Sequence, residues 1–142
     1  MTSSAGKHLS TIVRVVLGLV FLYAGILKIA DPVAFAGNIA AYRILPYFGN
    51  YLVAATLPWL EATCGLLLII GWRARTAALI TCILNGVFIV ALASTILRGL
   101  DIDCGCFQQG GDKTSAWSAM GRDIVLIAMA LTLLRKDRRR SP

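Results

Sequence analysis

Four runs of apolar residues, each close to the length that crosses a bilayer, restrict the fold of this 142-residue chain more than any other feature. At a rise of about 1.5 Å per residue, roughly 20 residues span a hydrocarbon core of about 30 Å. The runs lie at about 11–30, 51–70, 75–97 and 119–134. The fold class they predict is all-α, an integral-membrane four-helix bundle forming one domain over residues 1–142. Composition supports this, since 58% of the residues are hydrophobic and only 15% charged, where soluble domains carry roughly a quarter charged residues. A secreted enzyme, a disordered adaptor and a conventional nucleic-acid binder are thereby excluded.

The basic residues give the spans a direction. Lys7, Arg14, Arg73, Arg75, Arg135, Lys136, Arg138, Arg139 and Arg140 all fall at the same ends of the spans, with Asp137 as the single acid among them. Lys and Arg beside span ends favour the cytoplasm, so both termini are expected there and residues 31–50 and 98–118 outside. The net charge of +7 is therefore a topology signal whose counterpart is membrane lipid, and no nucleic-acid partner is expected. The N-terminal stretch has a basic start and an apolar centre like a signal peptide but lacks a convincing small-x-small cleavage site, and it reads as an uncleaved first helix.

In the first outer connection, Asp31-Pro32 pairs an N-cap with a proline at the first helical position. A short extra helix is predicted to run to about Tyr42, with Pro46 ending it. Val33, Phe35, Ala36 and Ile39 give it a broad apolar face, suited to the outer membrane surface or to the side of the bundle. Tyr42, Tyr47, Tyr51 and Trp117 suit an outer aromatic belt, and Trp72 an inner one.

Charges inside apolar spans must pair, snorkel or face the bundle interior. Counting residues from the span ends puts Lys28, Glu61, Arg122 and Asp123 in the middle and outer half of the bundle. Two readings stand side by side: a polar network that locks helices together, and a polar pocket for a proton-coupled or quinone-like ligand. Asn85 lies about as deep as Glu61 on the neighbouring span, so a Glu61–Asn85 hydrogen bond is expected. Cys64 and Cys82 fall at similar depth, where a redox pair is conceivable, but in such surroundings cysteines usually behave as small hydrophobes, and that is the favoured reading. Gly18 and Gly25 mark a face of the first span on which another helix can approach closely.

The second outer connection contains Asp101-Ile102-Asp103-Cys104-Gly105-Cys106-Phe107, on the side of the membrane where disulfides persist. Two cysteines one residue apart close a ring only with distorted geometry, which Gly105 makes feasible. Strained, exposed disulfides tend to exchange readily. A structural crosslink is the competing reading. A metal site is disfavoured, because the one histidine, His8, lies on the other side.

These residues resemble the DoxX-like family of small four-helix membrane proteins, most closely its MauE branch. The resemblance covers about Val13 to Leu134 and rests on Gly25-Ile26-Leu27-Lys28, Leu57-Pro58-Trp59-Leu60-Glu61, Cys104-Gly105-Cys106-Phe107 and Arg122-Asp123. Gln108 stands where that family often has glycine. The resemblance implies a bundle related in architecture to membrane thiol oxidoreductases that couple disulfides to quinone. It also implies a periplasmic thioredoxin-like partner and a role in maturing a disulfide-containing secreted enzyme, of the methylamine-utilisation type. The leading expectation is thus a bacterial inner-membrane redox protein. Its catalytic residues would be Cys104 and Cys106, with their loop on the periplasmic side and quinone near Lys28, Glu61, Arg122 and Asp123. The alternative is a non-enzymatic scaffold that docks the partner, and a homo-oligomer is compatible with either.

Overall fold

The computed structural model describes residues 4–99 and 116–138. They form five helices: α1 (Ser4–Ala30), α2 (Pro32–Ala41), α3 (Tyr47–Ile70), α4 (Ala74–Leu97) and α5 (Ala116–Arg138). Four of these are long and apolar enough to cross a membrane, at the four places where the hydropathy pattern put them. The helices extend past the apolar runs at several ends. At the end of α5, Arg135, Lys136 and Arg138 lie in the last turn, where cations are favourable to the helix dipole.

The short helix α2 begins as its sequence dictates. Pro32 occupies the first turn, and the Asp31 carboxylate accepts the Ala34 N–H at 3.0 Å. It ends where expected, at Ala41 with Tyr42 as its cap, but the chain turns away at Arg43, at φ 52°, before Pro46 is reached. Pro46 instead stands immediately before α3, where a residue without an N–H costs nothing. Gly71, at φ 87°, closes α3 with an N–H to the Leu67 carbonyl at 2.9 Å. A side chain there would meet both the left-handed backbone and the Arg14 guanidinium, 2.6 Å from an added Cβ.

Packing follows from the small residues. An added Cβ on Gly18 would lie 2.7 Å from the Gly65 carbonyl oxygen, and one on Gly65 would lie 2.5 Å from the Leu22 nitrogen. One on Gly25 would lie 2.8 Å from the Ala62 nitrogen. Helices α1 and α3 therefore meet backbone to backbone, as the Gly18 and Gly25 face predicted, with Gly65 as the complement on α3. Helix α4 packs closely on α5 and α2 folds against α3. Leu17, Phe21, Cys64, Leu68, Leu126 and Ala130 are at the centre of the core, while Leu19, Ile26, Ile83 and Val90 stand more than half exposed on the outside, as lipid-facing side chains do.

Lys136 donates to the Gly6 carbonyl and so ties the end of α5 to the start of α1. The described termini and the α3–α4 turn share one end of the bundle. At the other end Arg98 donates to the carbonyls of Tyr42 and Arg43, fastening the α2–α3 connection to the end of α4. This corrects one aromatic assignment. Tyr42 packs with Leu92 and Ala119 and is only 7% exposed, so it belongs to the core and not to an interfacial belt. Tyr47, Tyr51, Trp72 and Trp117 are all more than half exposed.

Candidate functional site

The close approach of α1 and α3 also builds the site. Gly25 sits against Ala62 and the Pro58 carbonyl, and Lys28 lies one turn beyond Gly25 as Glu61 lies next to Ala62. The Lys28 Nζ consequently reaches both Glu61 oxygens, at 2.7 and 2.9 Å, with the two side chains 2% and 3% exposed. Phe35 of α2 and Phe88 of α4 put their ring faces 5.0 and 5.2 Å from the ammonium, a cation–π contact that strengthens when water is excluded. Burying two charges is costly, and complete pairing together with aromatic faces is the arrangement that offsets it.

The expected Glu61–Asn85 bond is not made. Glu61 pairs with Lys28, and Asn85, 3% exposed, keeps its Nδ2 without a partner among the described residues. On α5, Asp123 is buried, and its Oδ1 accepts from Arg122 Nε at 3.3 Å and Nη2 at 3.1 Å. Its Oδ2 has no partner among the described residues. Lys28, Glu61, Asn85, Arg122 and Asp123 surround one cavity, so four ionisable residues from three spans are brought together as the sequence suggested.

That cavity measures about 20 Å³, and a single water needs roughly 10–15 Å³. Among its lining groups, Asn85 Nδ2 is a buried donor and Asp123 Oδ2 a buried acceptor without a partner among the described residues, a pair complementary to one bridging water. A quinone ring does not fit, since sites for small organic ligands are usually some 300–1,000 Å³. As it stands, the space between these four residues is the size of a water and not of a ring. Space for a ring lies elsewhere, in a groove of about 400 Å³ between α2 and α3 lined by Val33, Ala36, Tyr47, Asn50, Tyr51 and Ala54. It is apolar except for the Tyr47–Tyr51 hydroxyl pair, 3.3 Å apart, and Asn50, whose buried Oδ1 has no partner among the described residues.

Cys104 and Cys106 lie outside the described residues. Their connection leaves α4 after Gly99 and re-enters the bundle at Ala116, at the end where α2 covers Lys28. Cys64 and Cys82 are free thiols packed in or against the apolar core, which fits their reading as small hydrophobes. Sequence reasoning missed Phe88 and Gly65 and gave Phe35 only a packing role. Phe88 had a legible signal, lying three residues after Asn85 and hence on the same helix face.

Comparison with known proteins bears on the same helices. Residues 6–136 match the family model described as methylamine utilisation protein MauE. The methylamine utilization protein MauE of Paracoccus denitrificans is 36% identical over 121 residues, 84% of this chain and 65% of that protein. Its Paracoccus versutus counterpart is 38% identical over 119 residues, 83% of this chain and 64% of that protein. That of Methylorubrum extorquens is 32% identical over 134 residues, 94% and 72% of the respective chains. The chain thus spans just under two thirds of the length of the two Paracoccus relatives. No solved structure matches. The match runs through all five helices and takes in both the buried Lys28–Glu61 pair and the Arg122–Asp123 pair, and on this ground the chain belongs to the MauE family.

Proposed function

We propose that this chain is an inner-membrane thiol–disulfide protein that serves the maturation of a periplasmic, disulfide-containing enzyme of methylamine utilisation. Cys104 and Cys106 exchange electrons with a thioredoxin-like partner outside the cytoplasm. The observation that carries this reading is the position of the charged cluster. Lys28–Glu61 and Arg122–Asp123 line one water-sized cavity that lies between the middle of α3 and the end of the bundle at which α5 begins. The names of the relatives support the methylamine-utilisation context, and the positive-inside pattern supports the periplasmic side.

In the exchange, a thiolate of the reduced protein attacks one sulfur of the other's disulfide, the S–S bond breaks, and a mixed disulfide forms. The second thiol of the attacking protein then resolves it. Two electrons and two protons leave the dithiol, and the former disulfide becomes two thiols. Among the described residues, the buried cluster contributes paired acid and base groups held inside the bundle. A quinone, the acceptor that the family resemblance implies, supplies two-electron, two-proton oxidation when bound, and Tyr47, Asn50 and Tyr51 are the residues that would hold it.

Trapping tests the reading. With Cys104→Ser or Cys106→Ser, the remaining thiolate is expected to attack the single active-site cysteine of a thioredoxin-like protein that lacks its resolving cysteine and carries that thiol as a thionitrobenzoate disulfide, releasing thionitrobenzoate and leaving a mixed disulfide visible as a covalent adduct on non-reducing gels. If neither variant forms the adduct while the partner still binds, the cysteines are not exchange-active and the chain acts as a docking scaffold.

A further inference from the structure

At the end of the bundle opposite the cluster, a recess of about 300 Å³ opens between α1, the α3–α4 turn and α5. Arg14, Arg73, Arg75 and Lys136 line it, with Asp137 as the one carboxylate. None of the four cations is in a salt bridge among the described residues, where the ion pairs are Lys28–Glu61 and Arg122–Asp123. The Arg14 guanidinium lies beside Gly71, and its buried Nε has no partner among the described residues. Helix α4 starts at the rim, and its first turn carries no side-chain cap, so its N–H groups and dipole add positive potential there.

Four cations around one recess, with Asp137 as the single carboxylate and Lys136 donating to the Gly6 carbonyl, leave an excess of positive charge that an anion seated between them would offset. Inorganic phosphate and a lipid phosphate would both do so. The setting favours the lipid: the recess lies at helix ends, next to Trp72, which is 66% exposed at the level of an interfacial anchor. Leu133 and Ala74 add an apolar wall that suits an amphiphile and is of no use to a free ion. We propose that this recess binds the phosphate headgroup of one anionic phospholipid from the leaflet facing the termini. The site fixes α1, the α3–α4 turn and α5 at their shared end. It is a defined stoichiometric site, unlike the diffuse attraction of a basic tail.

The test uses the full chain purified in neutral detergent, titrated separately with phosphatidylglycerol, phosphatidylcholine and inorganic phosphate, with bound molecules counted by native mass spectrometry. One phosphatidylglycerol per chain is expected to bind in clear preference to phosphatidylcholine. Each charge removed, in Arg73→Gln or Arg75→Gln, is expected to weaken it about fivefold. Arg135→Gln removes an equal charge outside the recess and is expected to change binding less than about twofold, well below the value for a contributing cation. Equal retention of both lipids overturns the proposal, and so does an Arg135 effect as large as that of Arg73. Saturable binding of inorganic phosphate with the same dependence on Arg73 and Arg75 overturns the lipid assignment.

Discussion

Replacing one member of the Lys28–Glu61 pair leaves the other charged and buried, and the structure indicates how large the effect should be. The pair is bidentate at 2.7 and 2.9 Å and 2–3% exposed, conditions under which removal of one partner costs about 3–5 kcal/mol. Glu61→Leu is expected near the lower figure, because Asp123 on the same cavity remains as a carboxylate for Lys28. Lys28→Met is expected near the upper one, because it leaves Glu61 and Asp123 facing one cavity with Arg122 as the remaining cation. The double variant removes the uncompensated charge and is expected within about 1 kcal/mol of the parent, since apolar replacements of whole buried pairs are often neutral. The coupling between the sites is then several kcal/mol. Cys64, 2% exposed and three residues from Glu61, provides the readout: with the other cysteines replaced, its modification by a thiol reagent across a denaturing-detergent titration follows unfolding. Costs in the double variant that add to within about 0.5 kcal/mol would refute the idea that these charges stabilise one another.

Two further outcomes follow from the packing and the groove. Gly65→Ala places a Cβ 2.5 Å from the Leu22 nitrogen and is expected to force α1 and α3 apart at a cost of at least about 1–3 kcal/mol. Gly86→Ala, with nothing within 4 Å, is expected to be neutral or stabilising by about 0.5–1 kcal/mol; the same unfolding titration ranks the two. Asn50→Leu removes the one unpartnered buried acceptor of the α2–α3 groove. It is expected to slow quinone-dependent reoxidation of the cysteines while leaving partner exchange unchanged, as stopped-flow measurement of each half-reaction would report.

The membrane architecture was legible because lipid imposes length and polarity rules that one sequence displays directly. The Asp31-Pro32 start of α2 and the Gly18–Gly25 face were legible for similar reasons, each being a local requirement met by few residue types. What the sequence concealed was choice of partner. Depth counting placed Glu61 level with Asn85, but it treats side chains as points on the helix axis, whereas the long stem of Lys28 lets its ammonium reach Glu61 from a different level. The glycine contact that draws α1 onto α3 then decides the pairing. Tyr42 misled in a related way: tyrosine near a span end usually anchors at the interface, but the turn after α2 and the Arg98 clasp direct it into the core. The charged residues were recognisable as a buried cluster, whereas the size of the cavity between them depends on packing by Phe21, Phe88 and Leu126, which no spacing rule encodes.

The central claim is that Cys104 and Cys106 form the working dithiol while Cys64 and Cys82 do not take part. Equilibrating the purified chain in glutathione buffers of stepped potential, then quenching with a thiol-reactive mass tag and mapping the tagged peptides, measures this directly. Cys104 and Cys106 are expected to titrate together as one two-electron couple at a potential within reach of a thioredoxin-like dithiol, while Cys64 and Cys82 remain thiols throughout. If Cys104 and Cys106 stay reduced at every oxidising potential, or if Cys64 and Cys82 titrate instead, the claim is contradicted.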